Sequence, residues 1–253
     1  IMRTSVVAVA LCLGYLATIT VAALKLPSYI KPCSRKDPNL NACALKNGVD
    51  ALPKLMNGDA KYGIPLLDPL TIDRIVVGDK PNATIGLTFT CEKCKFYGLK
   101  TAQLTAIRVD LKKRHVEVEL KVRKLMVIGK YSASGKVLIL PITGKGDANV
   151  TLSDGKVLYK VDFDLFKKKD NKEYIKLKKP HLNFNINGLR IKLTNLFNGD
   201  KNLGDSMNSF LNENWREVVK TFGPAVQEVL AETVTLIINR IAEKVPYDEI
   251  FLK

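Results

Sequence analysis

Two hydrophobic periods divide the chain. From Leu70 to Leu193 apolar positions recur at every second residue. Val116, Val118, Leu120 and Val122 alternate with Glu117, Glu119, Lys121 and Arg123, as a half-buried strand requires. Val157, Tyr159, Val161, Phe163 and Leu165 repeat the pattern, as do Leu182, Phe184 and Ile186, while Ile85, Leu87 and Phe89 alternate with Thr and Gly. Turn formers separate these runs: Gly129, Ser134-Gly135, Gly144 to Asp147, Asp154-Gly155, Lys169-Asp170-Asn171 and Asn187-Gly188. The pattern predicts many antiparallel strands with one apolar face.

Beyond Met207 the period becomes helical. At 100° per residue Met207, Leu211, Trp215, Val218, Phe222, Ala225, Val226, Val229, Leu236 and Ile237 share one arc. Glu213, Arg216, Glu217, Lys220, Gln227 and Glu228 fall opposite. Asn202 or Asp205 caps the start, Arg240 and Lys244 suit the C-terminal end of the dipole, and Pro246 closes the helix. One helix from Ser206 would run about 60 Å, with a kink expected at Gly223-Pro224.

Upstream, residues 24–43 form a Pro-punctuated entry. A weak helix is predicted from Ala42 to Met56, stopped by Asn57-Gly58, and Tyr62 to Pro69 reads as extended or turn-like. A sheet with one apolar face and a helix with one apolar stripe bury each other most economically if the sheet curls around the helix. The fold class is therefore α+β, a long C-terminal helix wrapped by a highly curved antiparallel sheet. Such a wrap leaves room for a lipid-sized cavity, although periodicity does not separate a filled core from a hollow one.

The first residues change the picture of where the chain works. Arg3, the apolar run Ser5 to Val21 and the small residues Val21-Ala22-Ala23 read as a secretory signal, the competing reading being a retained membrane anchor. On the signal reading residues 1–23 are excluded from the fold and one domain spans 24–253. Four cysteines then remain, Cys33, Cys43, Cys91 and Cys94, and they allow three pairings, with Cys33–Cys43 and Cys91–Cys94 favoured. Asn82 and Asn149 head glycosylation sequons. The formal charge of +15 admits nucleic acid, acidic membranes or polyanionic glycans as partners. Export argues against nucleic acid. The clusters Lys112-Lys113-Arg114, Lys167-Lys168-Lys169 and Lys178-Lys179 read as a solvated rim at turns between strands.

Catalytic chemistry finds little support. The only histidines are His115 and His181, and there is no Gly-x-Ser-x-Gly elbow. Gly129 to Val137 imitates a phosphate loop, but five residues separate its glycines and Val137 stands where a hydroxyl is needed, so a hairpin turn is the better reading. Cys91-Glu-Lys-Cys94 follows a strand instead of opening a helix, and no second such pair could complete a zinc site. A local structural disulfide is the favoured reading, with unpaired thiols and redox work as alternatives. Asp162 and Asp164 share one strand face and read as solvated. No enzyme, metal site or cofactor is expected.

Asn195-Leu-Phe-Asn-Gly-Asp200, Leu203-Gly204 and Phe210-Leu-Asn-Glu-Asn-Trp215 closely resemble the insect takeout and haemolymph juvenile hormone binding protein family. So do the Cys33/Cys43 pair, Gly63 to Pro69, Tyr131 to Gly135, Leu140 to Gly146 and Val245 to Ile250, which spreads the resemblance over the whole mature chain. It implies a secreted haemolymph carrier, of the circadian clock-controlled takeout type, whose apolar tunnel takes a terpenoid hormone, a fatty-acid-like molecule or another long lipophile. It also implies a disulfide between Cys33 and Cys43, while Cys91–Cys94 matches no family-wide pattern. On this reading Phe89, Tyr131, Ile139, Phe163, Phe184, Trp215, Phe222 and Val226 line the tunnel, with ordinary core packing as the alternative for each, and Tyr131 donates a hydrogen bond to a ligand oxygen. The protein is expected to be a monomer with no integral membrane segment once processed. The rival function is a basic interaction protein that docks on anionic membrane or a receptor; a third, less favoured one is a disulfide oxidoreductase built on Cys91 and Cys94.

Overall fold

The computed structural model describes residues 23–78 and 86–253. The signal segment, except for Ala23, and the calls at Asn82 and Ile85 lie outside the described residues. In chain order the elements are β1 (Cys33–Ser34), α1 (Leu40–Leu55), β2 (Leu70–Val77), β3 (Leu87–Tyr97), β4 (Gln103–Asp110), β5 (His115–Val137), β6 (Leu140–Lys167), β7 (Glu173–Asn185), β8 (Gly188–Leu193), α2 (Lys201–Glu213), α3 (Trp215–Ala242), α4 (Tyr247–Ile250) and β9 (Phe251–Leu252). The short β1 and β9 pair in parallel, so the two ends of the described chain meet.

The sheet is built on one long ribbon, β5 against β6. The far half of β5 pairs with β3, which carries β2, and the near half pairs with β4. On the other side β6 holds β7 along its second half and β8 along its first. Helix α3 packs on β7 and β8 at one edge and on β2 at the other, so the sheet is curled around it. This is the expected α+β wrap.

Several expected turns are instead interior to these strands. Gly129, Ser134-Gly135, Gly144 to Asp147 and Asp154-Gly155 all lie within β5 or β6, and Gly129 to Val137 is strand, not a hairpin. Each has a local reason. Gly129 faces a bulge between Glu92 and Lys95, where Lys93 has φ +50°. The Cys91–Cys94 disulfide closes that bulge, and a Cβ on Gly129 would fall 2.7 Å from Cys91 Sγ. Asp154, at φ +50°, tolerates the left-handed region that most side chains avoid. It marks a change of phase: inward residues of β5 are Val116 to Val122 on even numbers, then Leu125 and Val127 on odd ones. Lys178-Lys179 also lies in strand, at an irregularity of β7.

The C-terminal helix differs from expectation in two ways. It starts at Lys201, with the Asp200 carboxylate accepting from Leu203 N at 3.0 Å, so neither Asn202 nor Asp205 is the cap. It also runs unbroken through Pro224 and is interrupted at Asn214, whose backbone leaves the helical region and whose Nδ2 donates to Phe210 O. Within α3, Leu236 of the expected stripe is 65% exposed.

Asparagines fasten the helices to the sheet. Asn208 accepts from Leu193 N and donates to Leu193 O, at 2.8 and 2.9 Å. One turn on, Asn212 does the same with Ile191, both at 2.8 Å. The two amides therefore act as a surrogate strand along the free edge of β8. On β7, Asn239 Oδ1 accepts from Leu177 N at 2.9 Å. Replacing Asn208 and Asn212 by Ala should lower unfolding free energy by about 2–4 kcal/mol, since four backbone groups lose partners. Urea denaturation checks the size, and faster amide exchange at Ile191 and Leu193 checks the place.

Candidate functional site

The inner face of the sheet meets α3 along its length, and packing quality changes along the way. At the N-terminal end Val218 joins a buried group with Tyr131, Ala133, Ile142, Leu193 and Met207. At the C-terminal end Ala242 packs with Phe163, Ile175 and Tyr247, while Ile237 and Ile241 rest on Tyr62, Ile64 and Val245. Between these sealed ends, Leu230 bridges two groups, one around Cys91, Cys94 and Phe96 and the other around Tyr159, Val161 and Leu182. Here many inward apolar side chains, among them Phe89, Leu125, Val127, Phe184, Val226 and Leu230, are only half-buried. Protein interiors pack to crystal density, so accessible surface on facing apolar side chains means that protein atoms do not seal this stretch.

One polar pair crosses the apolar middle. Tyr159 Oη lies 2.6 Å from Thr235 Oγ1, and Thr235 Oγ1 donates to Ala231 O at 2.7 Å. Thr has a single proton to give, so Tyr159 is the donor between them, and at 3% and 7% exposed the two side chains belong to the packed core. Burial raises the Tyr159 pKa, with the Thr235 bond pulling it back. The sequence reading missed this pair. Its signal was a Tyr in the inward register of an alternating strand, together with a Thr beside the helix stripe.

The structure sorts the eight expected lining residues. Phe89 and Phe222 pack on the N-terminal group and Phe184 on the group around Tyr159, while Val226, half-buried on α3, belongs to none of the buried groups. Phe89 stacks on Tyr131 with ring centroids 5.8 Å apart, and Phe184 reaches α3 at Gly223. Tyr131 is 2% exposed and its hydroxyl donates to Thr194 O at 2.7 Å. Burial pushes its pKa to about 12. Its proton is therefore already committed to the backbone, and the expected donation to a ligand gives way to a structural bond. Phe163 is 2% exposed within the C-terminal seal, beside Tyr247. Trp215 stands at the α2–α3 break with the Arg216 guanidinium 4.6 Å above its ring, outside the buried groups. Ile139 is 85% exposed at the β5–β6 tip and faces solvent, because the turn expected near Gly135 lies at residues 138–139 instead.

Two grooves open elsewhere. One, of about 240 Å³, lies on the outer face of the sheet between the rows Glu119, Leu158, Asn183 and Lys121, Lys156, Asn185. The other, of about 200 Å³, separates α1 from β4. Neither lies between α3 and the sheet. The outer face is largely charge-matched. Lys160, at 2.8 Å, then Arg108, at 2.9 Å, hold the Glu117 carboxyl down to about 2. Asp162, expected to be merely solvated, pairs with His115 Nδ1 at 2.7 Å, and Asp164 pairs with Lys178 at 2.7 Å.

Both expected disulfides are present, Cys33–Cys43 with Cα atoms 6.1 Å apart and Cys91–Cys94 with 6.0 Å. Asn149 is exposed on β6. Among the described residues no helix is long and apolar enough to cross a membrane, and no cluster of side chains is suited to a metal.

Known proteins match this arrangement over nearly its full length. The family model for haemolymph juvenile hormone binding protein (JHBP) matches residues 7–252. The circadian clock-controlled protein daywake of Drosophila melanogaster is 27% identical over 233 residues, 90% of this chain and 88% of its own. Daywake of Drosophila yakuba is 23% identical over 236 residues, 91% and 90% of the two chains. Among solved structures, Takeout 1 of Epiphyas postvittana superposes with a TM-score of 0.77 at 33% identity, covering 88% of this chain and 100% of that one.

The polar pair gives a test of the inner face. Thr235→Val should destabilise the protein by about 1–3 kcal/mol by stranding the Tyr159 hydroxyl among apolar groups. Adding Tyr159→Phe removes the stranded partner and should recover part of that loss, which chemical denaturation of the single and double variants measures.

Proposed function

The chain belongs to the haemolymph juvenile hormone binding protein family, whose members are ligand-binding carriers, and we propose that it is a secreted carrier of a long apolar molecule held between α3 and the inner face of the sheet. One observation carries the placement: two apolar surfaces face each other between sealed ends, yet their side chains stay half-buried. A ligand lying there would complete the burial, at about 25 cal/mol per Å² of apolar surface before ordering costs. Phe89, Phe184, Phe222, Val226 and Leu230 supply the apolar wall. The ligand class is a terpenoid hormone, a fatty-acid-like molecule or a lipophile of similar length, the first being what the family's name says its members bind.

Export is part of the proposal. Two disulfides suit an oxidising compartment, and exposed Asn149 would be open to glycosylation there. The relatives named for circadian control suggest a clock-linked role, which is proposed on that likeness alone.

Protein purified from its natural secretion, extracted with organic solvent and examined by mass spectrometry, should yield a stoichiometric lipophile; an extract empty of apolar molecules, with no uptake of added ones, would refute the carrier reading. Leu230→Trp, which fills the middle of the interface, should weaken lipophile binding by tenfold or more. Leu236→Trp, on the exposed side of the same helix, should leave it unchanged. Displacement of a fluorescent fatty acid reads both.

A further inference from the structure

Ile139, displaced from the expected channel, stands at a tip with unusual chemistry. β5 ends at Val137 and β6 begins at Leu140, these two residues pair, and only Leu138 and Ile139 connect them. A two-residue connection of this kind takes positive φ at its first position, where Gly, Asn or Asp normally sits. Here that residue is Leu138, at φ +54°. A bulky side chain is thus held in a strained conformation at a place where a turn former would be easier. Ile139 beside it is 85% exposed, the most exposed large apolar residue among those described.

A single exposed apolar residue would need no explanation. This one crowns a run of four, Val137 to Leu140, whose members beside it, Leu138 and Leu140, are half-buried against the group that contains Tyr131 and Leu211. The tip is therefore braced by the core and continuous with the N-terminal seal of the α3 interface. Its charge is one-sided. From Lys136 to Lys145 there are two lysines and no acid, and neither lysine has a carboxylate partner among the described residues. The next lysine inward, Lys130, is already neutralised by Asp147.

We propose that the β5–β6 hairpin tip is a membrane-docking finger, which places Ile139 and the flanks of Leu138 and Leu140 in the interfacial layer of an anionic bilayer with Lys136 and Lys145 among the lipid phosphates. An apolar point with lysines at its base is the pattern that holds a protein at such an interface, and the overall charge of +15 draws the protein toward it. The insertion needs no helix and no strand to span the bilayer. It is also independent of what the channel carries.

Flotation with vesicles of phosphatidylcholine, with and without phosphatidylserine, tests this. The unaltered protein should float with the anionic vesicles, less with the neutral ones, and detach as salt is raised. The double variant L138G/I139S relieves the strained turn but gives up the Leu138 contact with the core, so its Tm should change little while its vesicle affinity falls about tenfold. K136E/K145E should lose binding to anionic vesicles and the salt dependence with it. Equal binding to both vesicle types, or unchanged binding by L138G/I139S, would overturn the proposal. So would self-association abolished by L138G/I139S without any vesicle binding, which would assign the tip to a second copy of the chain. Lipophile binding is measured on the same proteins without vesicles and should be unaffected by either double variant. A protein that docks but takes up no lipophile would remove the carrier reading and leave the finger standing.

Discussion

A curled sheet has edges, and the edges of this one govern where its helices lie. Apolar contact is non-directional and would let α2 and α3 slide along the inner face at little cost. The amides of Asn208, Asn212 and Asn239 do not allow that. Each bonds one residue's backbone on β8 or β7, with distances between 2.8 and 2.9 Å. They satisfy groups that an open edge would expose and set the helix register in the same contact. The interruption at Asn214 belongs to the same arrangement, because α2 must follow β8 while α3 must follow β7.

That fixed register explains how the middle of the interface can stay underfilled. A helix free to settle would collapse onto the sheet until its apolar side chains were buried. Here both ends are held, by the Tyr131 group on one side and the Phe163 and Val245 groups on the other. Leu230 and Phe184, both packed on the group around Tyr159, are left with surface to spare. The Cys91–Cys94 bulge contributes from the opposite wall, since it brings a buried disulfide over Gly129 where two longer side chains would meet.

Much of this was legible in the order of residues. Alternation from Val116 to Val122 and from Val157 to Leu165 marked the strands and their inward faces, and the apolar stripe from Val218 to Val226 marked the helix wall. What misled were glycines. Gly129, Gly135 and Gly144 read as turns because local sequence favours them there, yet each sits in a strand where another group approaches closely. That close approach is a property of the neighbouring strand and has no local signature. The same error put Ile139 inside. Tyr131 was rightly placed inward, but its hydroxyl is consumed by Thr194, 63 residues away in the chain. Distances of that kind are set by the folded path alone.

An apolar wall has a predictable kind of selectivity. Each methylene that such a wall accepts or rejects is worth about 0.8 kcal/mol, close to fourfold in affinity. Discrimination by length is therefore steep over several carbons but shallow between neighbours. A polar group on the ligand matters differently. Tyr159 and Thr235 satisfy each other inside the core, so neither is left for a ligand. A ligand carrying a polar group against such a wall would have to bury it unpaired, at about 1–3 kcal/mol. The wall thus excludes misplaced polarity more strongly than it rewards the correct kind. An apolar wall of this kind would tolerate a series of related ligands.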